Sequence, residues 1–246
     1  MAKQFQVDTG GTLTTSLLAY YKLEDANDFY STNNLTSAGN AAFVTGKVNN
    51  ALELDGTNDY LDGGDIFDFS RTSPFSFACW IEPDVTDSSR IIVSKKDFDG
   101  DGEGYVWYCI SGGKLRLILD GPLAVQRILV QTTNAVLSDN TYAHVVLTYS
   151  GSSTAAGFKM YVNGSSVALT VSTDTLITAD TTNAISFNVG SANDGAPTAD
   201  FDGEIDELGV WSKELTSTEV TDLYNAGAGQ TMTEVASTFK PKVVMF

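Results

Sequence analysis

The sequence of 246 residues is short of basic residues, histidine and cysteine. Lys and Arg number 14 against 31 Asp and Glu, which gives a formal net charge of −17. Proteins that bind nucleic acids or anionic lipid surfaces use Lys and Arg to neutralise phosphate charge. The composition therefore argues against a nucleic-acid partner and against a membrane partner.

The single histidine, His144, and the two cysteines leave little material for histidine-based catalysis or a zinc site. Cys79 and Cys109 both lie inside apolar, strand-like segments. A disulfide between them and a pair of buried free thiols are both open. The free thiols are favoured because neither cysteine lies in a loop.

Long apolar runs are also missing. No stretch approaches the ~18–20 residues that a membrane-spanning helix needs. The residues after Met1 contain one Lys and no apolar segment, so no secretion signal is readable. We therefore expect a chain that was trimmed or made without a signal, as a virion protein released by lysis would be.

The pattern that is present is that of β-strands. Short stretches rich in Val, Ile, Phe, Tyr and Thr recur, and Gly, Asn, Asp or Ser closes each one. Asn163-Gly164 between two such stretches predicts a type I′ hairpin, because both turn positions need a positive φ. About a dozen strands and one short helix predict an all-β, two-sheet jelly-roll sandwich.

The short helix has clear end signals. Thr216 and Glu219 have the spacing of a capping box, Leu215 and Val220 are placed for a hydrophobic staple, and Gly227 is placed to end the helix. The chain on either side of the predicted domain, residues 1–15 and 229–246, is interpreted as extended arms. We expect a neighbouring subunit to hold these arms, so that the protein forms a homo-oligomer.

Five segments, taken in order, resemble the laminin G-like, concanavalin A-like lectin domains. They are LLAYYKLED (17–25), GKVNNALELDGTNDYLDGG (46–64), PFSFACWIEP (74–83), SDNTYAHVVLTYSG with FKMYVNG (138–164), and FDGEIDELGVWSKELTSTEVTDLYNAG (201–227). They span residues 16–228, the predicted domain. One departure is Tyr142-Ala143, where the family commonly has a Trp and a His. The resemblance implies a jelly roll.

The resemblance also implies a structural Ca²⁺ on an outer face, held by acidic residues of the first, early and last strands. The matching positions are Glu24 or Asp25, the turn Asp55-Gly56-Thr57-Asn58-Asp59, and Asp206. Ca²⁺ prefers six to eight oxygen ligands, and a chain of charge −17 offers them. The alternative is that these are ordinary solvated turn residues.

A second acidic stretch, Asp97-Phe98-Asp99-Gly100-Asp101, has the spacing of the first half of an EF-hand loop. Tyr108 stands where the twelfth-position Glu should be, so a complete EF-hand is excluded. A looser Ca²⁺ site at Asp97, Asp99 and Asp101 and a metal-free hairpin tip are both open.

Aromatic residues follow that loop. Tyr105, Trp107 and Tyr108 are candidates for contact with a glycan, because aromatic rings stack on the apolar faces of sugars. Alternation directs Tyr105 and Trp107 to one face and Tyr108 to the other, so at least one set is expected in the core. Trp80 and Trp211 are expected in the core.

Catalysis is not expected. Glu204-Ile205-Asp206-Glu207 is similar to the Glu-x-Asp-x-x-Glu strand of retaining β-glucanases, but Leu208 and Gly209 stand in the next places and the third carboxylate is missing. Alternation also predicts that Glu204 and Asp206 share a face from which Glu207 is excluded.

The sequence therefore favours a non-catalytic, lectin-like domain. The preferred hypothesis is a virion surface protein, such as a phage decoration or fibre protein, that acts in assembly, in glycan attachment or in both. The alternative is a calcium-dependent carbohydrate-binding module of a secreted or cell-surface protein, with an extracellular location. A glycoside hydrolase is the weaker alternative.

Overall fold

The structure, a computed structural model, describes residues 4–6, 12–96, 102–122, 126–192 and 199–235. In chain order its strands are β1 (Gln4–Gln6), β2 (Leu17–Tyr21), β3 (Thr36–Ala38), β4 (Ala42–Thr45), β5 (Asn50–Asp55), β6 (Tyr60–Asp62), β7 (Phe75–Pro83), β8 (Arg90–Lys96), β9 (Gly104–Ile110), β10 (Lys114–Asp120), β11 (Arg127–Thr132), β12 (Ala143–Tyr149), β13 (Phe158–Val162), β14 (Ser165–Val167), β15 (Leu169–Asp174), β16 (Asn188–Val189), β17 (Asp202–Trp211) and β18 (Thr233–Val235).

Two large antiparallel sheets form the fold. The helix-side sheet has the order β14-β13-β12-β7-β17-β5-β4, and β2 also pairs with β17. The open sheet has the order β15-β11-β10-β9-β8-β16-β6-β3. The prediction of an all-β, two-sheet sandwich is confirmed. No helix of the described residues is long and apolar enough to cross a membrane.

The main core lies between the two sheets, and alternation along the strands fills it. Phe75, Phe77 and Tyr105 meet there with ring centroids 5.5–5.8 Å apart. Cys79 and Cys109 are buried in the same core as free thiols, as expected.

A second apolar cluster lies on the outer face of the helix-side sheet. Tyr20 and Trp211 pack there beneath α1 (Ser217–Tyr224) and beneath Met232. The Trp211 ring occupies the space beside Gly209, where any Cβ would overlap it. Trp80 and Trp211 are both buried, as predicted, although both lie on this outer face rather than between the sheets.

Local signals place the helix and the hairpin as predicted. Thr216 and Glu219 form the reciprocal capping box. Asn163 and Gly164 both have positive φ, 49° and 76°, as a type I′ turn requires. The end of the helix differs from the prediction: Asn225 is the left-handed C-cap and a 3₁₀ turn continues to Gly227.

The two chain ends meet. β1 and β18 form a two-stranded antiparallel sheet of their own, with Phe5 opposite Glu234. The described parts of the two predicted arms therefore pair with each other within one molecule. The prediction that they reach a neighbouring subunit stays a prediction.

Candidate functional site

β17 carries an irregularity that gathers two carboxylates on one face. Ile205 and Leu208 both point into the main core, although strict alternation would put them on opposite sides. The pairing of β17 with β7 shifts between Asp206 and Gly209, and Glu207 has a φ of 53°. This bulge places both Asp206 and Glu207 on the outer face, so the prediction that Glu207 lies on the opposite side is wrong.

Asp206 organises the loop between β4 and β5. Its Oδ2 accepts a hydrogen bond from the backbone N–H of Val48 at 2.7 Å. The carboxyl group is fully buried, and burial raises the pKa of Asp206 to about 7 against the opposing effect of the backbone amides of Val48 and Lys47. The Asp206 carboxyl therefore fixes the loop between β4 and β5 by accepting a hydrogen bond from its backbone.

Glu207 is the second buried carboxyl. It lies within hydrogen-bond distance of the Tyr20 hydroxyl through Oε2. Burial raises the pKa of Glu207 to about 8, the adjacent Tyr20 hydroxyl opposes this rise, and the neighbouring Asp206 adds to it. The Tyr20 hydroxyl is also 2.9 Å from the carbonyl oxygen of Gln230.

Side chains around this pair close it to large molecules. The Trp80 ring packs at a tilt against His144 and Tyr224, with centroid distances of 5.1 and 5.7 Å, and the Lys47 ammonium lies 4.7 Å from the centre of the Trp80 ring. Asp206 and Glu207 are 0% and 5% exposed. Neither carboxyl group is exposed at the surface of the helix-side sheet.

The predicted calcium ligands do not come together. Asp55 lies opposite Asp202 in the pairing of β5 with β17, four residues from Asp206, which corresponds to about 13 Å at ~3.3 Å per residue. Glu24 accepts a hydrogen bond from Asn49, and Asp25 accepts two from Asn27.

The prediction that one ion joins the 55–59 turn to Asp206 is therefore wrong: spacing along the chain does not reveal register. In the described residues no three His, Cys, Asp or Glu side chains are grouped to hold a metal ion. Asp97, Asp99 and Asp101 lie outside the described residues, and calcium binding there stays a prediction.

The predicted turn instead lines an acidic cleft. The cleft has a volume of about 290 Å³ and includes Asp55, Asp59, Asp84, Asp202 and Glu204. Burial raises the pKa of Asp202, with Asp84 and Asp55 adding to the rise and Arg90 opposing it. Asp59 is buried and accepts the backbone N–H of Asn40, and Gly56 packs against Asp202.

Two of the three predicted sugar-contacting aromatics are core residues. Tyr105 and Trp107 are 1% and 0% exposed between the sheets, so the prediction that they touch a glycan is wrong. They belong to the inward-facing set of β9, where large rings fill the core. Tyr108 points the other way and is partly exposed on the outer face of the open sheet.

Tyr108 belongs to a polar row that crosses the open sheet. The register aligns Tyr108 of β9 with Arg116 of β10 and Gln131 of β11. The Arg116 guanidinium lies 5.9 Å from the centre of the Tyr108 ring, and its Nε and Nη2 donate to Gln131 Oε1 at 3.1 and 2.6 Å. The planar groups of the row are therefore held in fixed positions.

An apolar row lies beside this polar row. Ile118 and Leu129 are cross-strand partners and both are partly exposed. Sequence reasoning singled out neither this row nor Arg116 and Gln131. The alternation in Lys114–Asp120 separates Arg116 and Ile118 from the core leucines and could have identified two of these residues.

One end of the same face is closed by ion pairs. Asp120 is fully buried and its Oδ2 is 2.8 Å from both Lys96 Nζ and Arg127 Nη2. Asp120 is the only carboxylate on β9, β10 and β11. These strands therefore present an aromatic, apolar and hydrogen-bonding surface without a free carboxylate pair.

A sandwich of two antiparallel sheets with this strand order defines a lectin-type β-sandwich domain. The chain matches the family model Laminin_G_3, described as the concanavalin A-like lectin/glucanases superfamily, over residues 55–221. The match covers more than half of the chain, and the chain belongs to this family. No curated protein matches the sequence significantly.

Solved structures show the same fold. The binding domain of Paraclostridial Mosquitocidal Protein 1 has 16% identity and a TM-score of 0.69, over 87% of this chain and 53% of that one. Domain 4 of AbnA, an extracellular GH43 arabinanase from Geobacillus stearothermophilus, was solved in complex with arabinotriose. It has 18% identity and a TM-score of 0.56, over 84% of this chain and 97% of that one.

A third similar structure is a sialidase from Trypanosoma rangeli, with 16% identity and a TM-score of 0.62, over 88% of this chain and 34% of that one. The chain therefore spans about half of the mosquitocidal binding domain and about a third of the sialidase.

Proposed function

We propose that this domain is a non-catalytic carbohydrate-binding module whose ligand lies on the outer face of the open sheet. The observation that carries the proposal is the partly exposed Tyr108 ring beside an Arg116 side chain that Gln131 holds in place. A sugar needs an aromatic surface for its apolar face and fixed hydrogen-bonding groups for its hydroxyls. Family membership and the arabinotriose complex of a similar domain support this function.

The surface also suits binding without hydrolysis. Asp120, the carboxylate of β9 to β11, is held by two cations, whereas glycosidases need two available carboxyl groups. Asp206 and Glu207, the pair similar to a glucanase motif, are buried on the other sheet.

The test is calorimetric titration with arabinotriose and with xylo-, gluco- and galacto-oligosaccharides. We expect at least one sugar to bind and Tyr108→Ala to weaken that binding at least about tenfold, or ~1.4 kcal/mol. Arg116→Ala should have a similar effect, because it removes the fixed hydrogen-bonding group beside the ring. The recovered sugar should be intact.

Tyr142→Ala is the matched control, since it removes a partly exposed tyrosine that lies just before β12, away from the open sheet. The site assignment fails if Tyr108→Ala binds as the unaltered protein does. The function fails if no sugar binds, and hydrolysed sugar would favour the glycoside hydrolase.

A virion surface location with association through the chain ends is the finer form of this proposal, and an extracellular location is its alternative. The pairing of β1 with β18 keeps the chain ends together, which is compatible with either location.

A further inference from the structure

The Tyr20 hydroxyl has one proton to donate and two hydrogen-bond acceptors beside it. It lies within hydrogen-bond distance of both Glu207 Oε2 and the Gln230 carbonyl oxygen, the latter at 2.9 Å. A phenol has one proton to donate, and a carbonyl oxygen or an ionised carboxylate can only accept. The hydroxyl must share its proton between the two acceptors, unless Glu207 carries a proton and donates it to the Tyr20 oxygen, in which case each contact is a full hydrogen bond.

The surroundings of Glu207 favour that proton. Tyr20 and Glu207 are 3% and 5% exposed, and an ionised carboxylate in such a place loses its hydration. Asp206, beside Glu207 on β17, opposes a second negative charge there, and Glu24 has the same effect on Asp206. Lys22, the residue after β2, provides the opposing attraction, although its ammonium lies 4.1 Å from the centre of the Phe29 ring.

The other groups that face this position carry no compensating charge. The Thr231 side chain hydrogen-bonds Glu207 and opposes the rise in the pKa of that carboxyl, and the Met232 backbone N–H donates to the Tyr20 hydroxyl oxygen. Lys47, the cation of the loop between β4 and β5, lies over the Trp80 ring.

We propose that Glu207 is protonated in the native protein and that this proton fastens the C-terminal segment, because it frees the Tyr20 hydroxyl to donate to Gln230. When Glu207 ionises, the hydroxyl proton turns to the carboxylate, a charge-assisted and stronger acceptor. The Gln230 carbonyl then loses its donor. Residues 230–232 loosen, and with them the pairing of β18 with β1.

The segment is short enough for one hydrogen bond to matter. Gln230 is three residues before Thr233, the first residue of β18. Other contacts also hold the segment: Met232 packs in the outer cluster and its N–H donates to the Tyr20 oxygen, and Gly229 bonds to Tyr224 and to Asn225. The pairing of β1 with β18 should therefore weaken, rather than be lost, when Glu207 ionises.

Carbon-13 NMR of the full chain between about pH 4 and pH 10 tests the proposal. We expect the side-chain carboxyl of Glu207 to titrate well above the ordinary range of about 4.3. The backbone carbonyl carbon of Gln230 should shift with the same midpoint, and the Cα shifts of residues 233–235 should move toward unpaired values.

Variants identify the proton. Glu207→Gln keeps the shape and cannot ionise, so the Gln230 shift should become independent of pH. Tyr20→Phe should leave a Gln230 carbonyl that no longer responds to pH. The matched control is Glu204→Gln, which alters another carboxyl of β17 that contacts a tyrosine hydroxyl, that of Tyr142, and should leave the Gln230 response unchanged.

Two results would overturn the proposal: a Glu207 midpoint near the ordinary value, or a Gln230 carbonyl that does not move while Glu207 titrates. If Tyr20→Phe does not fold, the wild-type titration and Glu207→Gln decide the question without it.

Discussion

The outer faces of the two sheets differ in how far they are covered by the rest of the chain. On the helix-side sheet, α1 and the segments around Leu13 and Met232 return over the strands and bury Tyr20 and Trp211. On the open sheet, Tyr108 and its neighbours in β10 and β11 remain partly exposed. Apolar and aromatic residues point outward on both. A covered face gains stability from them, and an open face keeps them for contact with a ligand.

The cover also changes the chemistry beneath it. Carboxyl groups under the returning segments lose hydration, which raises the pKa of Asp206 and of Glu207. On the open sheet the buried Asp120 instead lies 2.8 Å from two cations, Lys96 and Arg127. The covered face therefore contains carboxyl groups with raised pKa values, whereas the open face contains ion pairs.

Among the variants proposed here, Trp211→Ala should destabilise the covered face the most. The ring is 1% exposed and its Nε1–H donates to the Leu13 carbonyl at 2.7 Å. We expect a loss of about 3–5 kcal/mol in the free energy of unfolding, measured by urea denaturation. Tyr108→Ala, on the open face, should lose less than about 1 kcal/mol. Equal losses would refute the distinction between the two faces.

Asp206→Asn should sharpen the contrast in pH response. Because burial raises the pKa of Asp206 to about 7, the folded chain binds more protons than the unfolded chain above about pH 4. The contribution of protonated Asp206 to the free energy of unfolding is thus complete below about pH 4. It is lost as pH rises through about 7, which lowers the free energy of unfolding by roughly 2–4 kcal/mol.

Urea denaturation at successive pH values should show that the free energy of unfolding falls less with rising pH in Asp206→Asn than in the wild type. Glu204→Gln, on the same strand, should retain the wild-type fall. An Asp206→Asn curve parallel to the wild type would mean that Asp206 is already ionised in the folded chain at low pH.

Thr216→Ala should loosen the cover with the smallest effect. It removes the side-chain acceptor for the backbone N–H of Glu219, and we expect a loss of about 1 kcal/mol in thermal or urea unfolding. Thr221→Ala on the same helix is the control. It removes a hydroxyl bonded to the Ser217 carbonyl and should be neutral or slightly stabilising. Similar losses in both variants would show that the capping box does not hold the helix.

Features that depend on near neighbours could be predicted from the sequence. The capping box joins residues three apart, and the Asn163-Gly164 turn needs only its own two conformations. The burial of Trp80 and Trp211 followed from strand patterns in the same way.

Features that depend on strand register could not be predicted from the sequence. The Asp206 carboxyl accepts a hydrogen bond from the N–H of Val48, 158 residues earlier in the chain, and one bulge moves Glu207 to the opposite face of β17. The pairing of Arg116 with Gln131 likewise exists only once β10 and β11 are aligned. Alternation along one strand indicates which residues share a face and not which strands lie beside them.

The ring of Trp211 over Gly209 constrains how this domain can evolve. Any side chain at position 209 needs a smaller residue at 211, and a smaller residue at 211 leaves a void unless 209 grows. The two positions should therefore change together among descendants of this chain, and a lineage that alters one alone should be rare.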